Sequence, residues 1–79
     1  MKDSDKLLRA AELVERGCAG SVFAATYLAD KRSLDGGASA DDYVRRVLRR
    51  RFLSSWVARR DELVCGLRAA AVLAMSEGR

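Results

Sequence analysis

Seven arginines crowd residues 43–60: Arg45, Arg46, Arg49, Arg50, Arg51, Arg59 and Arg60. No acidic residue interrupts them. The formal net charge of the chain is +4, so this stretch carries +7 and the remainder −3. Arg45, Arg46, Arg49 and Arg50 recur at i, i+1, i+4 and i+5. On a helix they form one stripe, opposite Tyr43, Val44, Val47 and Leu48. One face then docks on a core while the other shows a dense cationic surface. Such a surface grips anions, because the planar guanidinium fork matches carboxylate and phosphate geometry. A GC-rich genome would explain Arg over Lys but not where the arginines sit. The plainest alternative is a solvated face paired with Glu12, Glu15, Asp41, Asp42 or Asp61.

Two kinds of partner suit the stripe. One is an acidic protein surface or nucleoprotein complex. The other is the DNA or RNA backbone, whose binding steepens in salt dependence with each phosphate neutralised. The chain has no Asn and no Gln, the residues that read adenine bidentately. Base-specific recognition is therefore poorly equipped. The nearby aromatics, Tyr43, Phe52 and Trp56, fall on the apolar pattern and are expected in the core.

Catalytic chemistry has little to work with. There is no His, so no His general base and no Ser-His-Asp or Cys-His arrangement. The adjacent pairs Asp41–Asp42 and Asp61–Glu62 diverge around a helix instead of converging on a metal. Gly36–Gly37 reads as a turn and not as a phosphate cradle. Cys18 and Cys65 are isolated, and two cysteines without His do not close a zinc site. They are expected as small buried apolar side chains. No enzyme activity, metal or cofactor is expected.

The elements that must position these residues are helical. Strand formers are scarce, with no Ile and a single Thr, while thirteen Ala favour helix. A 79-residue chain makes one domain, 1–79, with a small core that self-association would enlarge. The pattern predicts an all-α bundle of three to four helices, over about 4–16, 21–33, 40–52 and 55–76. In the first, Leu7, Ala10, Ala11 and Val14 face inward and Lys6, Arg9, Glu12, Glu15 and Arg16 face water. Asp3, Ser4 or Asp5 caps its start, and Gly17 ends it in a left-handed turn. Ser21 caps the second helix, which is apolar nearly all round and so expected to be buried on more than one side. Lys31 and Arg32 complement its dipole. Ser39 with Asp42 caps the third. The apolar phase slips at about residues 49–55, giving either a loop before Ser54 or Ser55 or one kinked helix.

Residues 63–75 carry a single charge, Arg68. Gly66, Ala70 and Ala74 recur every four residues, with Leu67 and Leu73 beside them. This seam suits either a core helix of the bundle or a homodimer interface. Thirteen residues with an Arg inside are too few to span a bilayer. The uncharged residues 17–29 follow a charged helix, which is wrong for an export signal. A cytoplasmic homodimer without membrane contact is expected. Compact basic helical proteins without catalytic groups are frequent among mobile-element regulators, such as phage inhibitors of host complexes. The expected function is stoichiometric binding by a small regulatory or inhibitory protein. A non-sequence-specific nucleic-acid binder and a structural subunit of a larger helical assembly are the alternatives.

Overall fold

The computed structural model describes residues 1–34, 40–48 and 59–79. Among them lie four α-helices and no strand: α1 (Asp3–Glu15), α2 (Val22–Ala29), α3 (Ala40–Leu48) and α4 (Arg60–Ser76). The all-α bundle expected from the pattern is the fold observed.

Helices α1 and α4 form the main packing pair. They run antiparallel. The backbone N–H of Ser4, at the start of α1, donates to the Arg79 carbonyl just past the end of α4 at 2.9 Å. At the other end, Arg60 opens α4 beside Gly17, which closes α1. Small side chains line the contact: Ala10 and Ala11 on α1, and Ala70, Ala71 and Ala74 on α4, all at most 1% exposed. Leu7, Val14, Leu63, Val64 and Leu67 fill the space around them, joined by Val22 and Ala25 of α2 and by Tyr43 and Val44 of α3. Full burial of a side chain such as Leu7 or Leu67 contributes about 1.5–3 kcal/mol.

Both long helices stop by the same device. Gly17 has φ +79° and Gly78 has φ +76°, a conformation that costs a Cβ-bearing residue more than glycine. After α1, Cys18 N–H donates to Leu13 O at 2.9 Å and Gly17 N–H to Val14 O at 3.0 Å. After α4, Arg79 N–H donates to Ala74 O at 2.8 Å and Gly78 N–H to Met75 O at 3.1 Å. Each pair is a Schellman closure of the last free carbonyls.

Several local expectations need correction. The N-cap of α1 is Lys2, with no side-chain cap bond, because the Arg79 carbonyl takes an N–H of the first turn instead. Lys6 is buried and not on the solvent face. Ser21 does cap α2, accepting from Ala24 N–H at 3.1 Å. That helix ends at Ala29, earlier than the charge pattern suggests. The carboxylate of Asp30 accepts the Arg32 backbone N–H at 3.0 Å, a local turn that competes with further helix. Lys31 and Arg32 therefore lie outside the helix. Nor is α2 buried on more than one side: Val22, Ala25 and Thr26 face in, while Phe23, Tyr27 and Leu28 are exposed. Helix α4 begins at Arg60 and not near 55, since Arg59 is extended at φ −77° and ψ 156°. This extended residue also rules out a continuous helix running into α4. The expected Gly36–Gly37 turn, the Ser39, Ser54 and Ser55 caps, and the core positions Phe52, Leu53, Trp56 and Val57 lie outside the described residues.

Candidate functional site

The site is built on α3 and on the start of α4. In α3 the buried Tyr43 and Val44 hold the helix to the core, and this sets the direction of the next two residues. Arg45 is half-buried, and its Nε is enclosed without a hydrogen-bond acceptor. Arg46 is exposed, with its guanidinium over the Tyr43 ring at 5.2 Å from the centroid. Both lie in the last turn of α3, where the helix dipole favours cations.

Arg59 and Arg60 sit where the dipole disfavours cations. Arg59 is the N-cap of α4 and Arg60 its first residue, and both are exposed. Asp61 and Glu62 in the same turn offset them. Arg60 lines a cleft of about 250 Å³ with the Gly17–Gly20 joint and Leu63.

Arg46 and Arg60 are tied to opposite ends of α4. Arg46 leans on Tyr43, whose hydroxyl donates to Glu77 Oε1 at 2.9 Å, and Glu77 caps the far end of α4. With 17 residues, α4 is about 25 Å long, and Arg60 opens its other end. Arg49, Arg50 and Arg51 lie outside the described residues.

Pairing divides the arginines sharply. Outside the run, Arg9 and Arg16 both reach Glu12 at 3.2 Å, and Arg32 reaches Asp30 at 3.2 Å. Arg68 reaches Glu15 at 2.9 Å, and Arg79 reaches Asp3 at 2.8 Å. Within the run, Arg45, Arg46, Arg59 and Arg60 form no ion pair among the described residues. Glu12 and Glu15, two of the acids that could have neutralised the stripe, are committed to other arginines.

Tyr43 is the hub behind Arg46. Its ring also carries the Arg79 guanidinium, 4.9 Å from the centroid. Burial first, and then the hydrogen bond to Glu77, push the phenol above its ordinary range. Sequence spacing did not reveal this cluster. Asp3 and Arg79 stand 76 residues apart, and no local periodicity pairs them. The one signal was Gly78, a helix-closing glycine that folds the last residue back.

The seam residues of α4 are turned into the chain itself. Gly66, Leu67, Ala70 and Ala74 are buried, and Leu73 packs partly buried at the core edge. Cys65, Arg68, Val72 and Met75 form the outward side instead. Cys65 and Cys18 are both exposed free thiols, contrary to the expectation of burial. Cys65 takes the outward phase of α4, and Cys18 lies in the turn after α1. Among the described residues no group of three or more His, Cys, Asp or Glu could hold a metal ion, and no helix is long and apolar enough to cross a membrane. Comparisons with protein families, curated proteins and solved structures return no match.

Proposed function

We propose that this chain is a small non-catalytic regulatory or inhibitory protein that binds an acidic protein or nucleoprotein partner stoichiometrically. The arginines of residues 45–60 make the contact. One observation carries this reading: arginines outside the run are answered by the chain's own carboxylates, and among the described residues no carboxylate pairs with Arg45, Arg46, Arg59 or Arg60. Neighbouring unpaired cations repel one another, and a partner's carboxylates relieve several at once. Arg suits that task, because its fork pairs bidentately and it is enriched at interfaces. The attachment of Arg46 and Arg60 to opposite ends of α4 favours an extended contact over a single anion pocket.

The test uses the charge-reversed chain Arg45→Glu, Arg46→Glu, Arg49→Glu, Arg50→Glu. It keeps its helical circular dichroism and loses partner binding. Retained binding by a folded quadruple variant would remove the proposal. A titration against random duplex DNA and single-stranded RNA at about 50 and 200 mM salt decides the class of partner. Micromolar binding with a steep salt slope makes the chain a non-specific nucleic-acid binder instead.

A further inference from the structure

Lys6 is a buried cation with no ion-pair partner among the described residues. The residue is 6% exposed, and its ammonium donates to the carbonyl oxygen of Arg32. No carboxylate pairs with it among the described residues. A carbonyl satisfies one N–H but does not neutralise the charge. Holding an unpaired ion out of water is unfavourable, and a bound anion would offset that cost.

The surroundings supply room and a second kind of contact. Lys6 lines a cleft of about 270 Å³, shared with Phe23, Tyr27, Lys31 and Leu34. The Phe23 and Tyr27 rings stack, with centroids 6.3 Å apart and planes 16° from parallel. Both stay largely in water, at 69% and 51% exposed, which is an unusual place for two adjoining rings. Lys31 adds another cation that no carboxylate answers among the described residues.

Asp30 also lines the cleft, but its charge is already committed. It accepts the Arg32 backbone N–H at 3.0 Å and the Arg32 guanidinium at 3.2 Å, and the N-terminal amine stands 3.8 Å away. The Arg32 backbone bond, and then its side chain, hold this carboxyl below the usual carboxylate range. The described lining thus holds three cations, Lys6, Lys31 and Arg32, against one carboxylate that is paired locally.

We propose that this cleft binds a small organic anion, a carboxylate or phosphate carried on a planar apolar body. The anionic head meets the Lys6 ammonium, and the body lies against Phe23 and Tyr27. The volume falls just under the roughly 300–1,000 Å³ of drug-sized pockets, and so suits a ligand of about one ring. The described lining comes from α1, α2, the segment after α2 and Ala40 at the start of α3, and it includes none of the arginines of residues 45–60.

Four probes test it by NMR titration of the intact chain, read at the Phe23 and Tyr27 ring signals. They are phenylacetate, phenyl phosphate, neutral benzyl alcohol and acetate. The ring-bearing anions should bind with a Kd of about 1 mM, in keeping with their few non-hydrogen atoms. Benzyl alcohol and acetate should each bind at least ~10-fold more weakly, because each lacks one of the two contacts. The tighter of the two aromatic anions identifies the preferred head group. Lys6→Met, which keeps the apolar stem, should lose at least ~10-fold for the anions, since only the charge is removed. Phe23→Ala alters an exposed ring and should weaken binding without disturbing the fold. Equal binding of benzyl alcohol overturns the proposal, as does undiminished anion binding by folded Lys6→Met. Absence of ring shifts at about 10 mM of either aromatic anion, ten times the expected Kd, overturns it too.

Discussion

Tyr43 shows how a single residue joins the stability of this chain to its candidate surface. Its buried ring carries the guanidinium groups of both Arg46 and Arg79, and its hydroxyl donates to Glu77. Tyr43→Phe removes one hydrogen bond and should cost about 0.5–1.5 kcal/mol in urea unfolding. A pH effect follows with a definite sign. Burial and Glu77 raise the phenol above its ordinary value, so the neutral form is the one the fold favours. Its contribution is complete below the unfolded tyrosine value near ~10 and is lost as pH rises through the higher folded value. Thermal melts between about pH 8 and 11 should therefore fall more steeply for the native chain than for Tyr43→Phe. Parallel decline of the two would contradict this account of Tyr43. The paired and unpaired arginines should also part company. Arg79→Ala breaks the contact with buried Asp3 and should cost about 2 kcal/mol. Arg59→Gln and Arg60→Gln remove cations from the positive end of a helix, so they should leave the melting temperature unchanged or raise it.

At the scale of elements, the helix ends carry the sharpest expectations. Gly17→Ala places a Cβ at φ +79°, where the nearest heavy atom, Arg60 Nη2, is a comfortable 3.6 Å away. The cost is conformational and not steric, about 1–2 kcal/mol in chemical unfolding. Ser21→Ala should cost about 1 kcal/mol by freeing the Ala24 N–H at the start of α2. Both devices were legible in the sequence, because a glycine after an amphipathic run and a serine before an apolar one act locally. The period of Leu7, Ala10, Ala11 and Val14 was legible for the same reason. Contacts that close over long separations were not. Lys6 reads as a polar-face residue until the segment after α2 folds over it and offers the Arg32 carbonyl. Asp3 reads as a cap until the last residue of the chain reaches it. Composition misled at α2, where an all-apolar stretch suggested burial and the structure leaves two aromatic rings in water. Those rings now line the proposed anion cleft, so the departure from the burial rule falls at a candidate site.

For the whole molecule, charge is arranged in two regimes. The arginines of the body are paired within it, those of α1, α4 and the tail being tied to Glu12, Glu15 and Asp3. The stretch from α3 to the start of α4 leaves Arg45, Arg46, Arg59 and Arg60 without ion pairs among the described residues. The tight antiparallel contact of α1 and α4 holds these two regimes on one frame. Small residues make that contact, so Ala70→Leu should overpack it and cost about 1–3 kcal/mol by thermal or urea unfolding. On the proposed function, the unpaired arginines are kept for an acidic partner. The most direct test of this is a quantitative capture from nuclease-treated extracts of the source cells, using the tagged native chain beside the folded Arg45, Arg46, Arg49 and Arg50 to Glu variant. One acidic protein or nucleoprotein should be bound in fixed stoichiometry by the native chain, lost with the variant and weakened by salt. Recovery of the same partner in equal amount by the variant would contradict it.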